Sequence, residues 1–173
     1  MASNNPVSEP VNWMERLKEN IEDMVSSKNY GRYAKNLKPL VAEEKRVVLE
    51  FEVTEELING KGTLHGGQTS LLVDIATALA ITLTVRDVPL VSVELACSYL
   101  QPALLGERIT VEAECLKIGR NIIFTNATFR KANGSVVAAG KHTLGTFPRA
   151  EGVSYSTARL NHLRNENGAF VRQ

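Results

Sequence analysis

Asn59-Gly-Lys-Gly-Thr-Leu-His65-Gly66-Gly67-Gln-Thr-Ser-Leu-Leu-Val-Asp74 puts a His-Gly-Gly turn at the mouth of a long apolar run, with a lone carboxylate nine residues after the histidine. The run predicts a helix that begins near His65 or Gly66 and continues to about Arg86, ended by Asp87-Val88-Pro89, because proline lacks a donor and disfavours helical backbone before it. The first amides of such a helix are unpaired and carry partial positive charge, so those near Gly66 and Gly67 suit a developing oxyanion. The helix is apolar on nearly every side and must be wrapped by sheet, by another subunit, or by both. One polar line survives, Ser70, Asp74 and Thr77, at steps of four and three on one face. A carboxylate in an apolar wall is costly unless paired or used, which makes Asp74 a candidate general base or nucleophile.

Upstream, residues 11–28 carry Trp13, Met14, Leu17, Ile21, Met24 and Val25 at helical spacing, an amphipathic helix that covers something larger. A short strand is expected over Leu37–Val41. Arg46–Thr54 alternates, with Val47, Leu49, Phe51 and Val53 on one face, as a half-buried antiparallel strand does. Leu57–Leu64 is a Gly-rich loop. Downstream, four strand-like runs follow with no further helix: Leu90–Leu100, Arg108–Ile118, Ile122–Arg130 and Ser135–Phe147, broken by Gln101-Pro102, Gly119-Arg120-Asn121 and the hairpin signal Asn133-Gly134. The pattern predicts an α+β fold in which an antiparallel meander curls around one long helix, with an extra N-terminal amphipathic helix. Residues 1–10 read as a disordered N-terminus, 11–147 as one domain, and 148–173 as a polar tail with at most a helical turn near Ser156–Leu163.

At 173 residues the chain holds one domain of ordinary size. A net charge of +1 from 20 basic and 19 acidic residues leaves no footprint for nucleic acid or an anionic membrane surface. Cys97 and Cys115 sit in apolar alternating runs and read as buried small hydrophobes in a reducing compartment. The N-terminus has neither a signal peptide nor a transit-peptide pattern, so a cytoplasmic location is expected. Leu71–Val85 is interrupted by Asp74, Thr77, Thr82 and Thr84 and falls short of the roughly 20 apolar residues a membrane span needs. No second His or Cys lies at ligand spacing from His65, so no metal is expected. Neither Ser70 nor Ser92 lies in G-x-S-x-G, which argues against a triad nucleophile. His142 and His162 have no evident partner.

The motif Asn59-x5-His65-Gly66-Gly67-x6-Asp74, its Gly62-Thr63-Leu64 lead-in, Ser92-Val93-Glu94 and Tyr99-Leu100-Gln101-Pro102 together resemble the hotdog-fold acyl-CoA thioesterases, in particular their phenylacetate-pathway-like branch. The resemblance covers residues 11–147 and leaves the tail unexplained; mammalian members carry Asp where this chain has Glu94. It implies a sheet wrapping a central helix, homodimers with continuous sheets commonly paired into tetramers, and hydrolysis of an acyl-CoA thioester without a cofactor, coenzyme A being part of the substrate. A mitochondrial location is the alternative it admits. It further implies that Asp74 is the general base or nucleophile, that the Gly66 amide lies in the oxyanion hole, and that Asn59, His65 and Ser92 orient water or thioester. Coenzyme A contacts are implied at Tyr99, Leu100, Gln101 and Pro102 and at the turn Lys117, Gly119, Arg120 and Asn121, whose cations and amides suit phosphates.

Helix geometry adds a constraint of its own. At about 1.5 Å per residue, His65 and Asp74 stand roughly 13 Å apart along one axis and cannot serve one substrate atom within one chain. Two antiparallel copies crossing near residue 70 on a two-fold axis would bring His65-Gly66 of one beside Asp74 of the other. General-base attack by water and direct attack by Asp74 to give a mixed anhydride both fit the residues. The competing functions are a hotdog hydratase or dehydratase and a catalytically silent acyl-CoA-binding protein.

Overall fold

The computed structural model describes residues 10–146 apart from Lys28 and Asp87. The expected disordered start, the polar tail with its helical turn, His162, Phe147 at the end of the last strand, and Asp87 in the helix stop lie outside these residues.

The amphipathic N-terminal pattern forms helix α1, Trp13–Ser26, opened by the Asn12 side chain accepting from the Glu15 amide and burying Leu17 and Ile21. Strands β1 (Lys38–Glu43) and β2 (Arg46–Glu52) make a hairpin, and β2 alternates as its sequence requires, with Val47, Leu49 and Phe51 buried. Helix α2 covers Gly66–Thr82, and strands β3 (Leu90–Tyr99), β4 (Arg108–Ile118), β5 (Ile122–Lys131) and β6 (Val136–Thr146) follow. All six strands form one antiparallel sheet in the order β1-β2-β4-β5-β6-β3, with α2 against its concave face. This is the expected hotdog architecture.

Two expectations are corrected. The helix ends at Thr82, not near Arg86. Beyond it, the Ile81 carbonyl accepts from both Thr84 (3.0 Å) and Val85 (2.8 Å), and the Leu83 carbonyl is taken by Arg16 Nη1 from α1 at 2.8 Å. A cluster of β-branched residues and a cap supplied by another helix stop α2 before the proline is reached. The second correction concerns the meander, which comprises β4, β5 and β6 only. β3 pairs with β6 at the sheet edge, and the segment after it crosses the sheet's mouth back to β4. That crossing is held by Leu64 N–H to the Ala103 carbonyl (2.8 Å) and Gly106 N–H to the Val53 carbonyl (2.8 Å), local pairings that no periodicity encodes.

α2 lies close enough to β6 that a Cβ at Gly140 would stand 2.5 Å from Val73 Cγ2 and 2.7 Å from Cγ1. Val73 is buried and stiff at χ1, so it cannot swing aside. Gly140→Ala is therefore expected to cost about 1–3 kcal/mol through overpacking. Denaturant unfolding checks this, and a midpoint equal to that of the native chain would show that the helix can lift off the sheet without penalty.

The wrapping is incomplete on one side. Ser70, Leu71, Asp74 and Ala78 remain only partly buried along one stripe of α2, next to the unpaired edge of β3, where Val91, Val93 and Tyr99 are exposed.

Candidate active site

His65 has extended backbone and caps α2, its Nδ1 accepting the Gly67 N–H at 2.9 Å. The neighbouring Gly66 N–H makes no hydrogen bond among the described residues. Gly66 lines a cleft of about 320 Å³ together with Asn59, Thr63, Tyr99, Gln101 and Ala138, among others. The Tyr99 ring lies over the first turn of α2, with its hydroxyl donating to the Gly66 carbonyl (3.2 Å) and sharing a hydrogen bond with Ser70 Oγ (2.8 Å). Leu100 and Gln101 both donate to the Val137 carbonyl, which fixes the strand end beside the cleft. Asn59 borders the same space but folds its side chain into its own loop. Its Oδ1 accepts from the Lys61 amide (2.8 Å), and one Nδ2 proton goes to Thr63 Oγ1 (2.9 Å), leaving the other available.

Asp74 lies two turns further along α2 and does not line this cleft. Nor is it buried, as the apolar surroundings in the sequence suggested: its side chain is 44% exposed, because it sits on the uncovered stripe of the helix. Ser92 Oγ donates to Asp74 Oδ1 at 3.3 Å. A β-bulge at Val93 makes this contact. It places Ser92 opposite Leu144 and Leu95 opposite His142, so both face α2 although they are three residues apart.

The structure also corrects the reading of His142 as a histidine without a partner. On the inner face of β6 its side chain is fully buried, with Nδ1 2.7 Å from Thr77 Oγ1 and Nε2 3.6 Å from Asp74 Oδ1. Among the described residues Nε2 has no hydrogen-bond partner. Burial lowers its pKa below the ordinary histidine value, against the opposing pull of the Asp74 carboxylate, so it is neutral at pH 7. The polar line Ser70-Asp74-Thr77 was the available signal, since a buried Thr on an apolar helix demands a polar neighbour, but the strand pairing that brings His142 there is not encoded locally.

The turn Lys117–Asn121 is held by Gly119 N–H to the Ile122 carbonyl (2.9 Å), where a Cβ on Gly119 would stand 2.7 Å from that oxygen. Asn121 and Arg120 carbonyls accept from Thr146, so the turn abuts the end of β6 that pairs with Leu90. Tyr99–Pro102 lies at the opposite end of β3. Within one chain, therefore, the structure groups Asn59, Gly66 and Tyr99–Pro102 at one end and Asp74, Ser92 and His142 further along, with Lys117–Asn121 at the far end. Among the described residues no cluster of three His, Cys, Asp or Glu side chains could hold a metal, and no helix is long and apolar enough to cross a membrane.

One long helix packed on a six-stranded antiparallel sheet in the order β1-β2-β4-β5-β6-β3 is the architecture of the hotdog class. Residues 61–138 match the model of the thioesterase superfamily, and the chain belongs to that family. It is 39% identical over 128 residues to acyl-coenzyme A thioesterase 13 of Homo sapiens, covering 73% of this chain and 91% of that one. Among solved structures it is similar to zebra fish thioesterase superfamily member 2, with a TM-score of 0.74 and 34% identity over 80% of this chain and 100% of that one. The PaaI protein of E. coli, with a TM-score of 0.67 at 20% identity over 79% of this chain and 97% of that one, shares the fold.

Proposed function

We propose that this chain hydrolyses fatty or aryl acyl-CoA thioesters to free acid and coenzyme A, at a site completed across a homodimer. The reaction class follows from the acyl-CoA thioesterase relatives. The observation that carries the site is the division of its parts along α2: an unpaired Gly66 amide at one end and an exposed Asp74 with Ser92 two turns on.

A two-fold axis passing beside the uncovered stripe of α2 and the open edge of β3 would bring Gly66 and Tyr99 of one subunit to Asp74 and Ser92 of its partner. Pairing along β3 would satisfy the edge's unpaired backbone groups and cover Val91 and Val93. The same operation would carry the partner's Lys117–Asn121 turn toward Tyr99–Pro102, uniting the two groups expected to hold coenzyme A. Asp74 then takes a proton from a water beside Ser92, hydroxide attacks the thioester carbonyl, and the Gly66 N–H holds the oxyanion. Collapse of this tetrahedral intermediate breaks the C–S bond, giving the acid and coenzyme A thiolate, which takes up the proton held by Asp74. His65 supports this by engaging Gly67 and leaving the Gly66 amide free, and the remaining Asn59 N–H is placed to meet the thioester. Residues 11–147 are the catalytic domain, dimers pair into tetramers, and the enzyme works in lipid metabolism in the cytoplasm, where Cys97 and Cys115 stay reduced.

A thiol-release assay over short, medium, long and aryl acyl-CoAs tests this. Release of coenzyme A with at least one of these classes is expected. Formation or hydration of a double bond without thiol release would point to a hydratase instead, and binding without turnover to a silent carrier.

A further inference from the structure

The contacts around Asp74 are lopsided. Ser92 Oγ (3.3 Å) and His142 Nε2 (3.6 Å) both converge on Oδ1, while Oδ2 makes no hydrogen bond among the described residues. His142 is buried behind the carboxylate, away from the open side, and its Nε2 is an orphan polar atom whose nearest possible partner is that same oxygen. An orphan of this kind inside a core is costly unless it acquires a partner.

The tautomer follows from the same geometry. Thr77 Oγ1 lies 2.8 Å from the Val73 carbonyl and 2.7 Å from His142 Nδ1, and one hydroxyl proton cannot serve both. Were it given to Val73, Nδ1 would have to carry the imidazole proton and the bare Nε2 lone pair would face a carboxylate oxygen, a repulsive arrangement. Given to Nδ1, it leaves the proton on Nε2, aimed at Oδ1. The Thr125 hydroxyl donates to the His142 backbone carbonyl at 2.7 Å and fixes the strand on the far side.

We infer that His142, oriented by Thr77, is a positioning residue that presents Nε2–H to Asp74 Oδ1 and so holds the carboxylate with Oδ2 turned to the attacking water. The gap closes by a few tenths of an ångström when substrate and partner subunit fill the open side, as catalytic hydrogen bonds commonly tighten from the unliganded state. No bond to substrate is made by His142 itself. This role rests on the reading of Asp74 as the base.

The groups that face His142 on the inner surface are Asp74 and Thr77 from α2, Ser92, Leu95 and Cys97 from β3, Thr125 from β5, and Cys115 from β4 beyond it. Among these described residues Asp74 is the one charged side chain. Burial pushes the His142 pKa below the ordinary histidine value, and protonation of the ring would pair an imidazolium with Asp74 and weaken the base. The acid limb of the pH–rate profile therefore contains a His142 contribution.

The test uses full-length dimer and compares His142→Leu, His142→Gln and Thr77→Val. His142→Leu removes the donor at similar volume and is expected to lower kcat about 10- to 30-fold with KM changed by less than about threefold, as loss of orientation alone does. His142→Gln keeps an N–H at the Nε2 position without a titrating ring. It should retain at least about one third of the native kcat and extend activity to lower pH. Thr77→Val should fall between them, and ¹⁵N spectra of the native enzyme at neutral pH should show His142 protonated at Nε2 and bare at Nδ1. Native kcat in a folded His142→Leu dimer, an equal loss in the Gln and Leu variants, an unmoved acid limb in His142→Gln, or protonation at Nδ1 would each overturn the inference. If the Leu variant does not fold, the Gln variant, Thr77→Val and the spectra decide. Asp74→Asn separates the two levels: full activity there removes the base assignment itself, whereas an inactive Asp74→Asn beside a fully active His142→Leu removes the positioning role alone.

Discussion

Asp74→Asn is expected to lower kcat by about 100-fold or more while moving KM little, because a positioned general base contributes about 10²–10⁴ and the substitution deletes the base without changing its shape. Asn keeps an oxygen to accept from Ser92 Oγ and occupies the same half-open position on α2. A side chain that is 44% exposed contributes little to the core, so stability should stay within about 0.5 kcal/mol of the native value. The loss then reads chemistry and not unfolding. Steady-state thiol release with parallel denaturant unfolding makes the measurement, and native turnover in this variant would exclude both the general-base and the anhydride routes.

The loss of turnover follows from the sequence motif alone, whereas the unchanged stability rests on the exposure of Asp74, a division that reflects what sequence periodicity encodes. The alternation of Val47, Leu49 and Phe51, and the unbroken apolar run after Gly67, each report one-dimensional burial, and the structure forms a strand and a helix there, the helix ending at Thr82 short of the expected Arg86. What periodicity does not report is non-local pairing. The position of β3 beyond β6 depends on Leu100 and Gln101 meeting the Val137 carbonyl and on a loop crossing to Val53, contacts between residues far apart in sequence.

The site was legible to the same depth. Gly66 and Asp74 stood out because a helix start and a lone carboxylate carry meaning without a partner. Ser92 needed the resemblance, since its approach to Asp74 depends on a bulge at Val93 that alternation alone would deny. His142 stayed hidden because its significance lies in Thr77 and Asp74, 65 residues and more away in the chain. The resemblance implies that Asn59 and His65 orient water or thioester, and the structure shows how much of each is engaged by its own loop or helix cap.

Gly66→Pro should abolish most activity in a protein that still folds, because a ring carbon replaces the amide proton while the helix start is kept. Gly66 is the first residue of α2, the position where proline is best tolerated because its missing N–H has no helical partner to lose. His65 has φ −67° and ψ 133°, the extended conformation that a following proline requires. A Cβ at Gly66 would meet the Tyr99 ring at 3.4 Å, an ordinary contact. Loss of one oxyanion donor costs about 10²–10³ in kcat, so the variant should be nearly as slow as Asp74→Asn. Mixing the two inactive variants then tests the shared site. If each centre takes Gly66 from one subunit and Asp74 from its partner, a hybrid dimer holds one centre with both groups intact and one with neither. Random exchange of equal amounts makes half of the dimers hybrids, each with one working centre of two, so about a quarter of native activity should return. Centres confined to single chains would give no recovery at any mixing ratio, and such a result, with subunit exchange confirmed by mass, would remove the partner from the mechanism.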